Sequence, residues 1–150
     1  MAIENSHREE QVAAIAGAPA TMIGATDLSR NVEAAAGIGF GKAVAQGSAD
    51  KGIVPLLTAS NRFVGITLLD RSATGVPGNP DAFPQYSMAR VRRKGDVWVV
   101  AAVAVAAGDP VYVTSVGDFT NVEGGNTLIE RARWETSTAA NGRLAVIRLD

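Results

Sequence analysis

The sequence predicts an all-β fold: a compact antiparallel β-barrel or sandwich with an extended N-terminal arm. Three observations carry that expectation. From Ile38 onward, short apolar runs alternate with turn residues at the spacing of small barrels and sandwiches. All eight aromatic residues lie at or beyond Phe40, and aromatic side chains dominate core burial. The first 36 residues hold ten alanines and no aromatic, which suits lying on another surface better than building a core. The expected division is an arm over 1–36 and a β-rich core over 37–150, one domain of ordinary size.

Within the arm, Ser6 and Glu9 have capping-box spacing, Val12, Ile15 and Ala16 share a helical face, and Gly17 suits a helix end. A second short helix is expected from Asp27, as N-cap, to Gly37. Helices of about ten residues are marginal alone in water, so both need a surface to lie on. The β-type runs that follow are Phe40–Gln46, Gly52–Leu57, Phe63–Asp70, Ser87–Arg93, Asp96–Ala102, Pro110–Thr114, Ala132–Ser137 and Arg143–Leu149. Lys94-Gly95-Asp96 reads as a tight hairpin, because glycine tolerates positive φ. Asn141-Gly142 is the strongest two-residue hairpin signal in the chain. In the last run Leu144, Val146 and Ile147 are apolar, while Arg143 and Arg148 are expected at the surface. Residues 71–85 hold three of the six prolines and two glycines and read as a long loop. Trp98 alternates with valines and is expected in the core, where its loss to alanine costs about 3–5 kcal/mol.

Composition narrows the function classes. The 14 Lys and Arg nearly balance the 15 Asp and Glu, for a formal charge of −1. That balance argues against a protein built to coat nucleic acid or an anionic membrane. With no cysteine there is no disulfide, no thiolate nucleophile and none of the usual zinc sites. The single histidine, His7, lies near the N-terminus, where a solvated residue is the expected reading. The longest apolar run, Val97 to Ala107, spans eleven residues and is too short to cross a bilayer as a helix. The polar start MAIENSHREEQ lacks the pattern of a signal peptide, so a soluble protein made in a cytoplasm is expected.

Gly37-Ile38-Gly39-Phe40-Gly41-Lys42 resembles a phosphate loop only superficially. Ala36 stands where the Walker pattern needs glycine, and Ala43 where it needs Ser or Thr. Arg90, Arg92, Arg93 and Lys94 form the one basic cluster, with positions 90, 92 and 94 on one strand face. Asp96 nearby leaves a local excess of three positive charges, which suits either a solvated hairpin end or an acidic partner surface. No aromatic stacking residues interleave with these charges, so nucleic acid is not the expected partner. The carboxylates show no metal-loop spacing, and no cofactor, metal or catalytic residue is expected.

Met22-Ile23, Ser29-Arg30, Glu33, VRRKGDVWV from Val91, AGDPVYV from Ala107 and ARWETS from Ala132 follow one another in an order that resembles the capsid cement, or decoration, proteins of tailed bacteriophages. The resembling stretches also take in 38–47, Ala49-Asp50, 63–66 and 69–71. The most recognisable are the three from Val91, Ala107 and Ala132, the last running through to Ala145-Val146. Gly39 stands where the family usually has proline before Phe40, which keeps a turn-compatible residue. The resemblance implies a structural virion protein without enzymatic activity. Such a protein binds the outside of the head, cements adjacent major capsid protein subunits and reinforces the expanded shell. It also implies a homo-oligomer, trimeric by preference and dimeric as the alternative, synthesised in the host bacterium. Met22, Ile23, Arg30, Arg90, Arg92 and Lys94 are the expected capsid or subunit contacts. An arm of this kind predicts that deleting residues 1–35 leaves a folded core that binds capsids weakly.

Two rival functions are open at the sequence level. A small carbohydrate- or ligand-binding β domain would use Trp134, Tyr86 and the 71–85 loop, and requires exposed aromatic rings. An enzyme of carboxylate type requires two carboxyl groups facing each other across a cleft.

Overall fold

The computed structural model describes residues 15–139 and 141–150. Among these there are eleven strands and no helix. They are β1 (Thr26–Val32), β2 (Ile38–Gly39), β3 (Ala43–Gln46), β4 (Gly52–Pro55), β5 (Phe63–Thr67) and β6 (Ala82–Phe83). The chain continues through β7 (Met88–Ala101), β8 (Pro110–Val113), β9 (Phe119–Thr120), β10 (Thr127–Trp134) and β11 (Arg143–Leu149).

The 14-residue β7 organises the fold. Its first half closes a five-strand circuit with β1, β4, β3 and β5, and its second half closes another with β11, β10, β8 and β9. Closure leaves few free sheet edges for unwanted pairing. The short β2 and β6 form a separate pair, so the proline-rich loop is tied down at Phe83.

The expected hairpin at Lys94-Gly95-Asp96 is therefore not a turn. Lys94 pairs with Thr26 of β1, and Gly95 pairs with Leu149 of β11. Gly95 takes a φ of 117°, which lets β7 bend from one circuit into the other without breaking its ladder. The two expected runs on either side fuse into one strand.

The second expected helix, from Asp27 to Gly37, is also replaced by a strand. β1 forms six antiparallel pairs with β7, from Thr26↔Lys94 to Asn31↔Met88. Asp27 does not cap a helix; its carboxylate accepts hydrogen bonds from Arg90 and Arg92. Of the first expected helix, the capping pair Ser6 and Glu9 and the apolar Val12 lie outside the described residues. Asn141-Gly142 ends a longer connection than a two-residue hairpin. The β10–β11 pairing stops at Trp134↔Ile147, and Thr138 crosses to Val105.

The main apolar cluster joins the two circuits. Ala43, Ala45, Leu56, Ile66 and Leu68 meet Val97, Val99, Phe119, Ile129, Trp134 and Ile147. A second cluster gathers Val32, Phe40, Val44, Ile53, Phe83 and Val91. Phe40 and Phe83 meet edge to face with centroids 5.0 Å apart.

A third, small cluster holds Ala18, Ala20, Trp98 and Val146. Here the chain before β1 docks on the outer side of β7. The Gly17 amide donates to the Trp98 carbonyl at 2.7 Å, and the Trp98 amide donates to the Ala18 carbonyl at 2.9 Å. Gly17 and Gly41 touch back to back; a Cβ on Gly41, whose φ is 66°, would lie 2.7 Å from the Gly17 nitrogen. The described part of segment 15–36 is thus built into the sheet. Deleting residues 1–35 removes β1 and the fully buried Val32, so loss of stability, not only of affinity, is the consequence.

Candidate functional site

The glycine-rich 37–42 segment is occupied by the fold. The amides of Gly37, Phe40 and Gly41 donate to the carbonyls of Ala34, Asp81 and Thr67, and the Lys42 amide donates to Thr67 Oγ1. No cradle of free amides remains there for a phosphate.

Among the described residues, the carboxylates that depart from ordinary behaviour are all pushed the same way. At Asp27 the Arg92 hydrogen bond is the largest cause and holds the carboxyl below the usual range. At Asp96, burial pushes upward most strongly, but the bonds from Arg148 and Thr21 and the charges of Arg148 and Arg92 together outweigh it. Amides and hydroxyls lower Glu33, through Ala49 and Ser48, and Asp70, through Ser72. The Asn121 side chain and the Ala106 amide do the same for Asp109. All five are stabilised as anions, whereas a general acid needs a raised value. Among the described residues no group of three His, Cys, Asp or Glu could hold a metal ion. No helix among them is long and apolar enough to cross a membrane.

The basic cluster is partly structural. Arg92 is only 5% exposed, so it is not a surface contact. Its Nε donates to Asp27 Oδ1 at 2.8 Å, its terminal nitrogen donates to Asp27 Oδ2 at 3.1 Å, and the other reaches the Asp96 carbonyl at 2.8 Å. Arg90 bonds the same Asp27 at 2.9 Å but stays exposed. The expected shared face of 90, 92 and 94 fails because Arg92 is covered, while Arg93 and Lys94 are both exposed.

Asp96 extends this into a ladder across the bend. It is fully buried and accepts two hydrogen bonds from Arg148, at 2.8 and 2.9 Å, and one from Thr21 at 2.8 Å. Arg148 also pairs with Glu135 at 3.1 Å. The row Arg90–Asp27–Arg92, then Asp96–Arg148–Glu135, joins β1, β7, β10's end and β11. Asp27 and Arg148 escaped the sequence reading because their partners lie 65 and 52 positions away. Nothing in the local sequence marked Asp96 as buried, since Lys94-Gly95-Asp96 reads there as a turn.

The other expected contacts are at the surface. Met22 is fully exposed and Ile23 is 42% exposed, on the bend just after the tethered Thr21. Arg30 is half-buried; one terminal nitrogen donates to the Ser29 carbonyl, and its buried Nε has no partner among the described residues.

The rings required for a sugar platform are not together at the surface. Trp134 is fully buried in the main cluster, whereas Tyr86 is 77% exposed with a φ of 65°. The 71–85 loop is braced internally by Ser72 on Asp70 and by Val76 pairing with Asn79.

Sequence reasoning also missed a groove at the base of the bend. Arg62, Phe63, Val64 and Arg93 line two adjoining hollows of about 980 and 550 Å³. Lys94, Leu128 and Arg131 flank the larger, and Arg30 the smaller.

Residues 3–150 match the family described as structural cement protein (E217 gp24/Pam3 gp6). No curated protein matches the chain. Among solved structures, a chain in the capsid of Myoviridae phage XM1 is similar with a TM-score of 0.71 at 21% identity, covering 100% of this chain and 98% of that one. A chain of the head fiber gp8.5 N base of bacteriophage phi29 aligns with a TM-score of 0.48 at 11% identity, covering 84% of this chain and 94% of that one. The first likeness shows the same all-β fold, and the family match extends over nearly every residue. The chain belongs to the structural cement proteins of phages and is a structural, capsid-stabilising component of the virion.

Proposed function

We propose that the protein sits on the outside of the phage head and bridges adjacent major capsid protein subunits, locking the expanded shell. The observation that carries this reading is the family match over residues 3–150, which takes in every strand of the double-circuit fold. The physical features agree with it. A closed, edge-poor β body supplies a rigid brace. Exposed Met22 and Ile23 offer apolar anchors, and Arg30, Arg90 and Lys94 offer charged contacts at the rim. Arg92 is replaced in that set by its exposed neighbour Arg93. The copies act as a homo-oligomer, trimeric by preference, so many weak contacts multiply by avidity. The role is non-enzymatic, and neither nucleic acid nor membrane is a partner. Synthesis takes place in the host bacterial cytoplasm before assembly.

The test is a shell-stability assay. Expanded heads lacking the protein are heated with and without added full-length chain, and release of packaged DNA is followed. A release temperature raised by several degrees, reached at saturating binding, is expected. An unchanged release temperature with no binding to shells contradicts the proposal. Light scattering on the free protein gives the oligomeric state, and a strict monomer refutes the oligomer.

A further inference from the structure

The groove beside the β7 bend has a composition that the cement reading alone does not require. Five cations line it: Arg30, Arg62, Arg93, Lys94 and Arg131. None of the five has a carboxylate within 4.0 Å among the described residues, whereas Arg90, Arg92 and Arg148 are all paired. Asp50, Glu130 and Asp150 also line the hollows, so positive charge exceeds negative by two. Unpaired like charges held side by side repel one another, and an anionic occupant relieves that repulsion.

The backbone is open at the same place. The last rungs between β5 and β7 are Ile66↔Arg92 and Thr67↔Val91. Phe63 and Val64 continue β5 beyond them, but β7 has already bent away to pair Gly95 with Leu149. On its β7 side β5 therefore lacks a ladder partner for residues 63–65, while Phe63 keeps its pair with Ala45 of β3 on the other side. On the far wall, β10 loses its pairing with β8 between Leu128 and Arg133, and Arg131 takes a φ of 60°. A non-glycine residue in that conformation is held there by its surroundings, and such residues cluster where ligands bind. Phe63 and Leu128 add an apolar floor, both partly exposed.

We infer that this groove receives an extended acidic segment of the major capsid protein. The segment pairs its backbone with the open side of β5 at Phe63–Val64 and sets two or three carboxylates against Arg62, Arg93 and Arg131. An extended strand fits better than a helix, because the opening is a gap between two strands rather than a wide apolar trough. This inference rests on the cement reading and names the contact through which it acts.

The test uses full-length protein carrying Arg62→Glu and Arg93→Glu together. Both side chains are exposed, so the melting temperature should match wild type within a few degrees. Binding to expanded shells is measured by co-sedimentation at low and high salt. Binding of a labelled twelve-residue polyglutamate peptide and of a twelve-nucleotide single strand is measured by fluorescence anisotropy. The expected result is at least tenfold weaker shell binding by the variant, with a smaller salt dependence, and loss of peptide binding. The pair Lys94→Glu and Arg131→Glu should behave alike. If wild type binds shells and both variants bind equally well, the groove is not the contact and the cement reading survives. If wild type binds no shells, the cement reading itself fails and takes the groove with it. Tighter binding of the oligonucleotide than of the peptide overturns the acidic-protein occupant in favour of nucleic acid.

Discussion

Asp96→Asn is expected to lower the unfolding free energy by about 3 kcal/mol at neutral pH. Breaking one side of a buried ion pair typically costs about 3–5 kcal/mol, because a charge is left without compensation. The carboxylate is 0% exposed and takes both Arg148 bonds and the Thr21 bond. Asparagine keeps the shape and one acceptor but removes the anion that takes both Arg148 bonds, leaving Arg148 with Glu135 alone while Arg92 keeps Asp27. Arg148 retains 31% side-chain exposure, so water takes over part of its charge and the lower end of the range applies. Deprotonation is no escape, since an arginine guanidinium stays charged.

The pH dependence follows from the same contacts. Asp96 and Asp27 are lowered from a usual value of 3.8. Their contribution is fully present above that usual value and is lost as pH falls through the lower folded values. Wild type should therefore hold its stability down to about pH 5 and lose it steeply below about pH 4, and Asp96→Asn should flatten that fall. Denaturant titrations at pH 7 and at pH 3.5 decide it. A loss under about 1 kcal/mol at pH 7, with an unchanged acid limb, would mean that the ladder does not hold the bend together.

Trp98→Ala is expected to cost about 3–5 kcal/mol, the usual range for a buried large aromatic. Trp98 is 5% exposed and packs against Ala18, Ala20 and Val146. Its backbone exchanges two hydrogen bonds with Gly17 and Ala18, and its ring covers Ala18 and Ala20, so the side chain helps clamp the chain that leads into β1. Alanine empties that clamp. The melting temperature should fall by roughly 10 °C or more for a domain of this size. Hydrogen exchange at the Gly17 amide should quicken more than exchange within β8 or β11. An unchanged melting temperature would place Trp98 in a surface role instead.

The local signals located most of the longer strands, misread the segments at Asp27 and Gly95, and passed over the two-residue β2, β6 and β9. β3, β4, β8 and β11 sit where apolar runs lie between turn residues. Lys94-Gly95-Asp96 failed because a glycine with positive φ serves a hairpin and a strand bend equally well. Partners at Thr26 and Leu149 decide between them, and they lie more than fifty positions away in both directions. Asp27 failed for the same reason. A short acidic residue before an alanine-rich stretch looks like a helix cap until Arg90 and Arg92 arrive from β7. The arm was therefore visible as a composition but not as the strand that closes the first circuit.

The exposure of the residues proposed as contacts was legible only in part. Met22 and Ile23 stand exposed, and Arg90 and Lys94 remain at the surface. Arg92 was misplaced because simple alternation ignores what covers a strand's outer face, here Asp27 and the Asp96 carbonyl. The groove cations come from β1, the turn before β5, β7 and β10, a gathering that no local spacing records. Function was legible through the ordered resemblance along the chain, since a brace carries no catalytic motif to find.

The most direct measurement is a cryo-electron reconstruction of expanded heads saturated with the full-length protein. The expected density is an all-β body on the outer surface, each copy touching at least two major capsid subunits. A shell segment should run into the groove beside Phe63. Density on the inner surface, or copies each seated on a single subunit without bridging, would contradict the cementing role.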